Sequence, residues 1–256
     1  MQYLEYACSS ITIGRELPAG SGFLARGDGR PGCKVYPKLI SALIERWRPE
    51  THTFYLPCGE CTVTLKDVSL QLGLPVDGYL VTGSVQSSDW PAVCYELLGA
   101  IPEKMDGGKI EMGWLRDTFP DLDEDSTEIE RIRYARAYIL QLIGGYLMPD
   151  LSRSRVHLRW LLKLVDFRVA GELSWGSAVL ATLYREMCGA TRPRRLKIGG
   201  CLSLLQSWAL FHFLFLRPRV DHLYTFSLIT RWNHPANHAR LPTELEDIRL
   251  LLDQQS

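Results

Sequence analysis

The clearest local signals lie in residues 53–78, which read TFYLPCGECTVTLKDVSLQLGLPVDG. Two β-prone runs, Thr53–Leu56 and Cys61–Thr64, flank the turn-forming stretch Pro57–Glu60. Alternating β-branched, aromatic and aliphatic residues on both sides of such a turn predict a short β-hairpin near residues 53–64.

A helix is expected directly after this hairpin. Thr64 is followed three residues later by Asp67, a weaker form of the capping box, which prefers Glu or Gln at that position. Gly73 supplies a C-terminal stop, and Pro75 prevents the helix from continuing. Apolar residues at helical spacing form the expected buried stripe: Leu65, Val68 and Leu72. Because these local signals agree, the segment favours a hairpin that leads into a docked helix.

The rest of the chain is helical by pattern, since apolar residues recur every three or four positions. Asp125 with Glu128 is the expected cap of the longest helix. The predicted helices are Pro37–Arg48, Trp90–Leu98, Ile110–Phe119, Ser126–Met148, Val156–Phe167, Trp175–Cys188, Ile198–Leu216, Tyr224–Trp232 and Thr243–Asp253. The predicted fold is therefore mainly α, a single multi-helix domain over residues 37–256 with one small β-hairpin. Residues 1–36, rich in Gly and Pro, are expected to form a poorly ordered leader.

The composition is that of an ordinary globular chain with balanced charge. Lys and Arg total 29, as do Asp and Glu, which argues against a protein built mainly to coat nucleic acid. The most apolar run, residues 200–216, is too short to span a bilayer comfortably, so no membrane interaction is expected. The N-terminus lacks a signal-peptide pattern. The seven scattered Cys residues indicate a reducing compartment.

Cys58 and Cys61 form the metal-site candidate of this sequence. A CxxC pair in a hairpin turn is where a zinc knuckle places its thiolates, but a structural zinc site needs four ligands and no second such pair follows. Cys33 and His52 are conceivable further ligands, and two ordinary turn cysteines are the favoured interpretation. We therefore assign no metal, no cofactor and no catalytic residue.

Two basic clusters are candidates for nucleic-acid contact. They consist of Arg153, Arg155 and Arg159, and of Arg192, Arg194, Arg195 and Lys197. Such cations neutralise backbone phosphates, but neither cluster contains interleaved aromatic residues that would stack on bases. The alternative interpretation is a charged helix start and a solvated loop between two helices.

One set of residues matches the pattern of a known family. The set is Trp47, Arg48, Pro49, Glu50, Thr51, Phe54, Leu56, Pro57, Gly59, Glu60, Thr62, Thr64, Leu65, Asp67, Val68, Leu72, Gly73, Leu74, Pro75, Gly78, Trp114, Gly199, Gly200, Cys201 and Trp208. With these residues the chain resembles the plant mobile domain family, which includes the Maintenance of Meristems-like proteins, from about residue 38 to the C-terminus. Relatives usually continue further, so the resemblance implies a domain shortened at its C-terminal end.

The resemblance implies a transposon-derived nuclear module with roles in transposon silencing, genome stability and meristem maintenance. It also implies protein partners, with phosphatase-like nuclear proteins among them. Family members are labelled aminotransferase-like or serine/threonine-protein phosphatase 7 long form homolog, but the residues support neither chemistry. No lysine stands out for a Schiff base, and Gly27-Asp28-Gly29 is the nearest fragment of a metallophosphatase motif.

The leading hypothesis is therefore a non-catalytic protein-interaction module. The alternative is a nucleic-acid-binding accessory protein of a mobile element that uses the two basic clusters. A third hypothesis is a degenerate transposase or hydrolase, whose metal ions would need converging carboxylates. The nearest such cluster is Asp121, Asp123, Glu124 and Asp125, which is typical of an exposed acidic loop.

Overall fold

The computed structural model describes residues 35–81, 89–123, 125–193, 197–217, 228–229 and 244–254. These residues confirm a mainly α fold with small sheets of two or three strands. All but two residues of the expected leader lie outside the described residues, as does most of the expected helix Tyr224–Trp232.

The described elements fall into two compact units. The 77–175 unit contains Asp77–Trp175, and the sheet unit contains the described residues before Asp77 and after Trp175. The α-helices are α1 (Pro37–Ile44), α2 (Leu65–Leu72), α3 (Trp90–Leu98), α4 (Met112–Thr118), α5 (Glu128–Leu142), α6 (Phe167–Gly171), α7 (Trp175–Ala190), α8 (Leu202–His212) and α9 (Leu245–Asp253). A π-helix covers Ile143–Leu147, and 3-10 helices cover Leu158–Leu164 and Leu214–Leu216. The strands are β1 (Trp47–Arg48), β2 (Thr53–Leu56), β3 (Gly59–Cys61), β4 (Tyr79–Leu80), β5 (Lys109–Glu111), β6 (Arg155–His157) and β7 (Leu173–Ser174). The division of the chain into a leader of residues 1–36 and one domain of residues 37–256 stays a prediction.

The predicted hairpin is part of a three-stranded antiparallel sheet with the order β1–β2–β3. Leu56 pairs with Gly59, so the turn consists of Pro57 and Cys58 alone. The prediction of a turn at 57–60 and a strand at 61–64 placed the second strand too late. Gly59 has a φ of +124°, in the region that favours glycine, and this conformation lets the strand begin directly after the short turn.

Trp47 lies in a strand, although its spacing from Leu43 predicted a helix that runs to Arg48. α1 ends at Ile44, and Trp47 pairs with Phe54 in β2. The two rings pack edge to face with 4.8 Å between their centroids. In the sheet Trp47 is only 3% exposed, and tertiary packing overrides the local periodicity.

The start of α2 is the predicted one. The Thr64 hydroxyl accepts a hydrogen bond from the Asp67 N–H at 3.2 Å, and the Asp67 carboxylate accepts one from the Thr64 N–H at 2.8 Å. The helix ends at Gly73, which has a left-handed φ of 68°. Val68 and Leu72 are buried, but Leu65 is 40% exposed, contrary to the predicted stripe. Side chains lean toward the N-terminus of a helix, so that of the first residue projects past the helix end.

Strands replace the beginnings of two predicted helices in the 77–175 unit. β5 and β6 pair antiparallel, with Ile110 opposite Val156, and both side chains are buried. Residues 110–111 and 156–157 are therefore extended and not helical. A three-residue strand leaves almost no periodic signal, and its partner lies far away in sequence, so the helical pattern of the following residues dominated the prediction.

The cap of α5 also differs from the prediction. It is Thr127 with Glu130, and not Asp125 with Glu128. The Thr127 N–H donates to the Glu130 carboxylate at 2.8 Å. Because α5 begins at Glu128, Thr127 is the residue directly before the helix, whereas Asp125 lies too far outside it to bond the first free N–H groups.

The most apolar run of the chain forms a shorter core helix than predicted. α8 spans Leu202–His212, and Gly200 with a φ of 75° precedes it. All residues from Leu202 to Leu210 are buried. Among the described residues, no helix has both the length and the apolar character that crossing a membrane requires.

Candidate interaction surface

Aromatic rings fill the inner side of the three-stranded sheet. Phe54 contacts Trp47 on one side and Trp208 of α8 on the other, with 4.8 and 5.1 Å between ring centroids. None of the three residues is more than 3% exposed. The Trp47 indole N–H also donates to the Cys188 thiol of α7 at 3.3 Å. These contacts bury large apolar areas and fix the backbone of β1 and β2.

Asp67 connects the start of α2 with the end of α8. One carboxylate oxygen accepts from the N–H and the hydroxyl of Thr64, and the other lies 2.9 Å from His212 Nε2. Burial alone would raise the pKa of Asp67, but the hydrogen bonds from Thr64 and His212 outweigh it and hold the pKa below its ordinary value. The carboxylate is therefore ionised at neutral pH and ties two helices together.

The outer side of the same sheet is exposed and carries polar and aromatic groups. We define the outer sheet face as Arg48, Thr53, Tyr55 and Glu60. Tyr55 is 53% exposed, and the Arg48 guanidinium lies 4.4 Å from the centroid of its ring. The Thr53 hydroxyl donates to the Glu60 carboxylate at 2.9 Å. Residues along a strand alternate between the two sides, so this face presents the positions between the buried Phe54 and Leu56.

A shallow depression of about 360 Å³ borders the outer sheet face. It is lined by Glu45–Glu50 together with Tyr55. Two of its charged residues are matched by α9, because Arg249 binds Glu45 with two hydrogen bonds and Arg46 pairs with Asp253. The depression therefore combines an exposed aromatic ring with cations and carboxylates, which is the composition of a polar protein-binding surface.

The two cysteines of the hairpin have different surroundings. Cys58 is exposed, whereas Cys61 is partly buried. Burial, with a smaller contribution from Cys58, raises the pKa of the Cys61 thiol to about 11, so this thiol is protonated at neutral pH. Within the part of the chain that the structure describes, no group of three or more His, Cys, Asp or Glu is arranged to hold a metal ion. Cys33 lies outside it.

The two basic clusters belong to different units. Arg155 of the 77–175 unit lies 2.9 Å from Asp106, which already neutralises it. The Arg159 guanidinium lies 4.6 Å from the Trp160 ring centroid, so an aromatic residue does accompany this cluster. Arg192 and Lys197 belong to the sheet unit, and Arg194 and Arg195 lie outside the described residues. Nucleic-acid contact by these residues stays a prediction.

One member of the acidic cluster is hydrogen-bonded to helix α5. Asp121 accepts a hydrogen bond from the Tyr134 hydroxyl at 3.1 Å. Asp123 and Asp125 are exposed, and Glu124 lies outside the described residues. Gly27-Asp28-Gly29, which suggested a metallophosphatase fragment, also lies outside them.

Sequence reasoning missed the partners of Asp67 and Arg46. His212 is 145 residues from Asp67, and Asp253 is 207 residues from Arg46. In the sequence, Asp67 is a capping residue and His212 belongs to an apolar helix, while Arg46 and Asp253 look like ordinary surface charges. Only the four-residue spacing of Ile248 and Leu252, which places both on one face of α9, hinted that this helix docks.

Comparison with known proteins identifies the family. The family model described as Plant mobile domain matches residues 32–256. A serine/threonine-protein phosphatase 7 long form homolog from Arabidopsis thaliana is 49% identical over 173 residues, which cover 67% of this chain and 13% of the relative. Protein MAINTENANCE OF MERISTEMS from the same plant is 42% identical over 71% of this chain and 38% of its own length.

A third Arabidopsis thaliana relative, Protein MAIN-LIKE 2, is 37% identical over 90% of this chain and 34% of its own length. The chain thus spans well under half of each of these three curated relatives. No solved structure matches the chain. Since the family model covers both compact units and the relatives agree with it, this chain belongs to the plant mobile domain family.

Proposed function

We propose that this chain is a non-catalytic protein-interaction module that acts in the nucleus and binds its partner through the outer sheet face. The observation that carries the proposal is the exposed Arg48–Tyr55 pair, which lies on a sheet whose other side is packed with aromatic rings. Arg and Tyr often dominate the binding energy of protein interfaces. A backbone that is already rigid loses little entropy on binding.

The relatives support the biological setting of this proposal. The name Maintenance of Meristems points to meristem maintenance, and we extend the role to transposon silencing and genome stability on the resemblance to transposon-derived modules. We further propose a phosphatase-like nuclear protein as the partner. In support, a relative named for a phosphatase contains a segment 49% identical to this chain.

The nucleic-acid alternative has less support. Asp106 forms an ion pair with Arg155, and Asp150 forms one with the neighbouring Lys109 at 3.3 Å. Cations that already carry carboxylate partners release fewer counterions when they meet a phosphate, so they contribute less to binding.

Capture of partners from plant nuclei tests the proposal. The full 256-residue chain is immobilised, the extract is treated or not treated with nuclease, and bound proteins are identified by mass spectrometry. We expect partners to survive nuclease, and we expect Arg48→Ala with Tyr55→Ala to reduce their capture at least about tenfold, as for a pair of central contact residues. Tyr95→Ala is the matched control, because Tyr95 is a 64% exposed tyrosine of the 77–175 unit.

Two results contradict the proposal. Loss of all captured proteins after nuclease favours the nucleic-acid alternative. Equal capture by the wild type, the double variant and the Tyr95→Ala control shows that the outer sheet face is not the binding surface.

A further inference from the structure

The helix α9 is held on the sheet unit by a small apolar seam and a charged rim. Ile248 and Leu252 are its buried residues. Three ion pairs connect it, or the residue directly before it, with α1 and the two residues that follow α1: Lys38–Glu244, Glu45–Arg249 and Arg46–Asp253. The rim therefore extends over the whole length of α9.

Arg46 connects α9 to the outer sheet face. Its guanidinium donates to the Ala42 carbonyl at 3.0 Å, to the Arg249 carbonyl at 3.1 Å and to the Asp253 carboxylate. Its own carbonyl accepts a hydrogen bond from the Tyr55 N–H at 2.9 Å. One residue thus bonds α9 through its side chain and the central strand of the sheet through its backbone.

The position of α9 also sets the charge of the depression. Arg249 donates to both carboxylate oxygens of Glu45, and these hydrogen bonds hold the pKa of Glu45 below its ordinary value. With α9 docked on α1, Glu45 and Arg46 in the wall of the depression each have an ion-pair partner of opposite charge.

α9 has the properties of a segment that opens easily. It has nine residues, and isolated helices shorter than about 12–15 residues are marginal in water, so its helical structure depends on docking. Two rim pairs are exposed at both members, with 43% and 63% of the side-chain surface accessible at Lys38 and Glu244, and 39% and 41% at Arg249 and Glu45. Exposed ion pairs contribute little and weaken with salt.

We propose that α9 is a strap whose seating on α1 controls the outer sheet face. Seated, the strap holds Arg46 and thereby the backbone that carries Arg48 and Tyr55. Released, it loosens β1 and β2 and leaves the charges of the depression unmatched. The biological consequence rests on the proposed function. If a partner binds the outer sheet face and prefers the form with α9 docked, its binding also protects α9 from opening.

Hydrogen exchange of the isolated 256-residue chain, followed by mass spectrometry, tests the strap. Lys38→Gln removes the rim pair that lies outside the depression, and Arg249→Gln removes a pair within its wall. We expect exchange in residues 245–253 to rise about threefold in the first variant and about fivefold in the second, as for weak and bidentate surface pairs. Exchange in residues 46–48 and 53–55 should rise together with exchange in α9. Arg155→Gln, which removes an ion pair of the 77–175 unit, is the matched control and should change neither segment.

Several results overturn the strap. Faster exchange in α9 with unchanged exchange in residues 46–55 contradicts the coupling, and unchanged α9 exchange in both variants shows that the rim does not hold the helix. A further variant, Leu252→Asp, disrupts the apolar seam. It should also raise exchange both in α9 and in residues 46–48 and 53–55. If that variant unfolds, seen as fast exchange throughout α8, the wild type in rising NaCl supplies the same comparison of the two segments. Since no partner takes part, failure of the capture experiment leaves these outcomes unchanged.

Discussion

Two capping boxes of this molecule have nearly the same geometry and very different surroundings. In Thr64–Asp67 and in Thr127–Glu130, the hydroxyl lies 2.7 Å from the carboxylate, which also accepts the threonine N–H at 2.8 Å. Asp67 is buried and has a further contact with His212, whereas Glu130 is exposed. The first box therefore begins a helix and joins it to α8, while the second only begins its helix.

The difference shows where the free energy of a local motif comes from. A cap bonds only N–H groups that water would otherwise bond, so an exposed cap adds little beyond helix initiation. A buried carboxylate that accepts hydrogen bonds from the start of one helix and the end of another is more costly to remove, because the contact between the two helices is lost with it. Matched substitutions in the two boxes separate these contributions.

The largest expected effect is that of Asp67→Ala. This change removes the acceptor for the Thr64 N–H, the Thr64 hydroxyl and His212, and should lower the free energy of unfolding by about 2–3 kcal/mol. The matched change Glu130→Ala should have a clearly smaller effect, because the side-chain hydrogen bonds it removes lie within its own capping box. Urea unfolding followed by circular dichroism measures both. Equal losses would show that the contact with His212 contributes nothing.

An intermediate effect is expected for the two threonines. Thr64→Ala and Thr127→Ala should each cost about 1 kcal/mol, because each hydroxyl accepts one N–H of the first helical turn. The same unfolding curves give both values. A much larger loss for Thr64→Ala would mean that its hydroxyl chiefly orients Asp67, and an unchanged midpoint would mean that the helix start needs no cap.

The smallest expected effect is on the stability of the fold at acidic pH. Hydrogen bonds hold the pKa of Asp67 below its ordinary value of 3.8, so below about pH 5 the unfolded chain takes up a proton before the folded chain does. The contribution of Asp67 is thus complete above the unfolded pKa and is lost as the pH falls through the folded pKa. Asp67→Asn should therefore flatten the loss of stability between about pH 5 and 2, measured as urea midpoints. An unchanged acid slope would assign the loss to other carboxylates.

The sequence predicted those parts of the fold whose signals lie within about ten residues. The cap and stop of α2, and the whole of α3, depend on neighbouring residues, and both are confirmed. The sheet order and the pairing of β5 with β6 depend on contacts between distant segments, which periodicity does not report. Trp47 shows the competition directly, because helical spacing and burial against Phe54 favoured different structures and burial prevailed.

The candidate surface was less predictable than the fold. Arg48 and Glu60 carry the family resemblance, but nothing in their local sequence distinguishes an exposed contact residue from a solvated charge. The ion-pair partners of Glu45 and Arg46 belong to α9, about two hundred residues later in the sequence. Such a surface exists only after the chain has folded, so composition and spacing contain little information about it.

The central position of β2 has a consequence for how this segment tolerates change in length. Its side chains alternate between the aromatic side and the outer side, so inserting or deleting one residue within Thr53–Leu56 would exchange the two. Phe54 and Leu56 would then face water, and Tyr55 would enter the space between Trp47 and Trp208. A substitution therefore changes one side of the strand alone, whereas a single-codon insertion there would disrupt the core and the outer sheet face together.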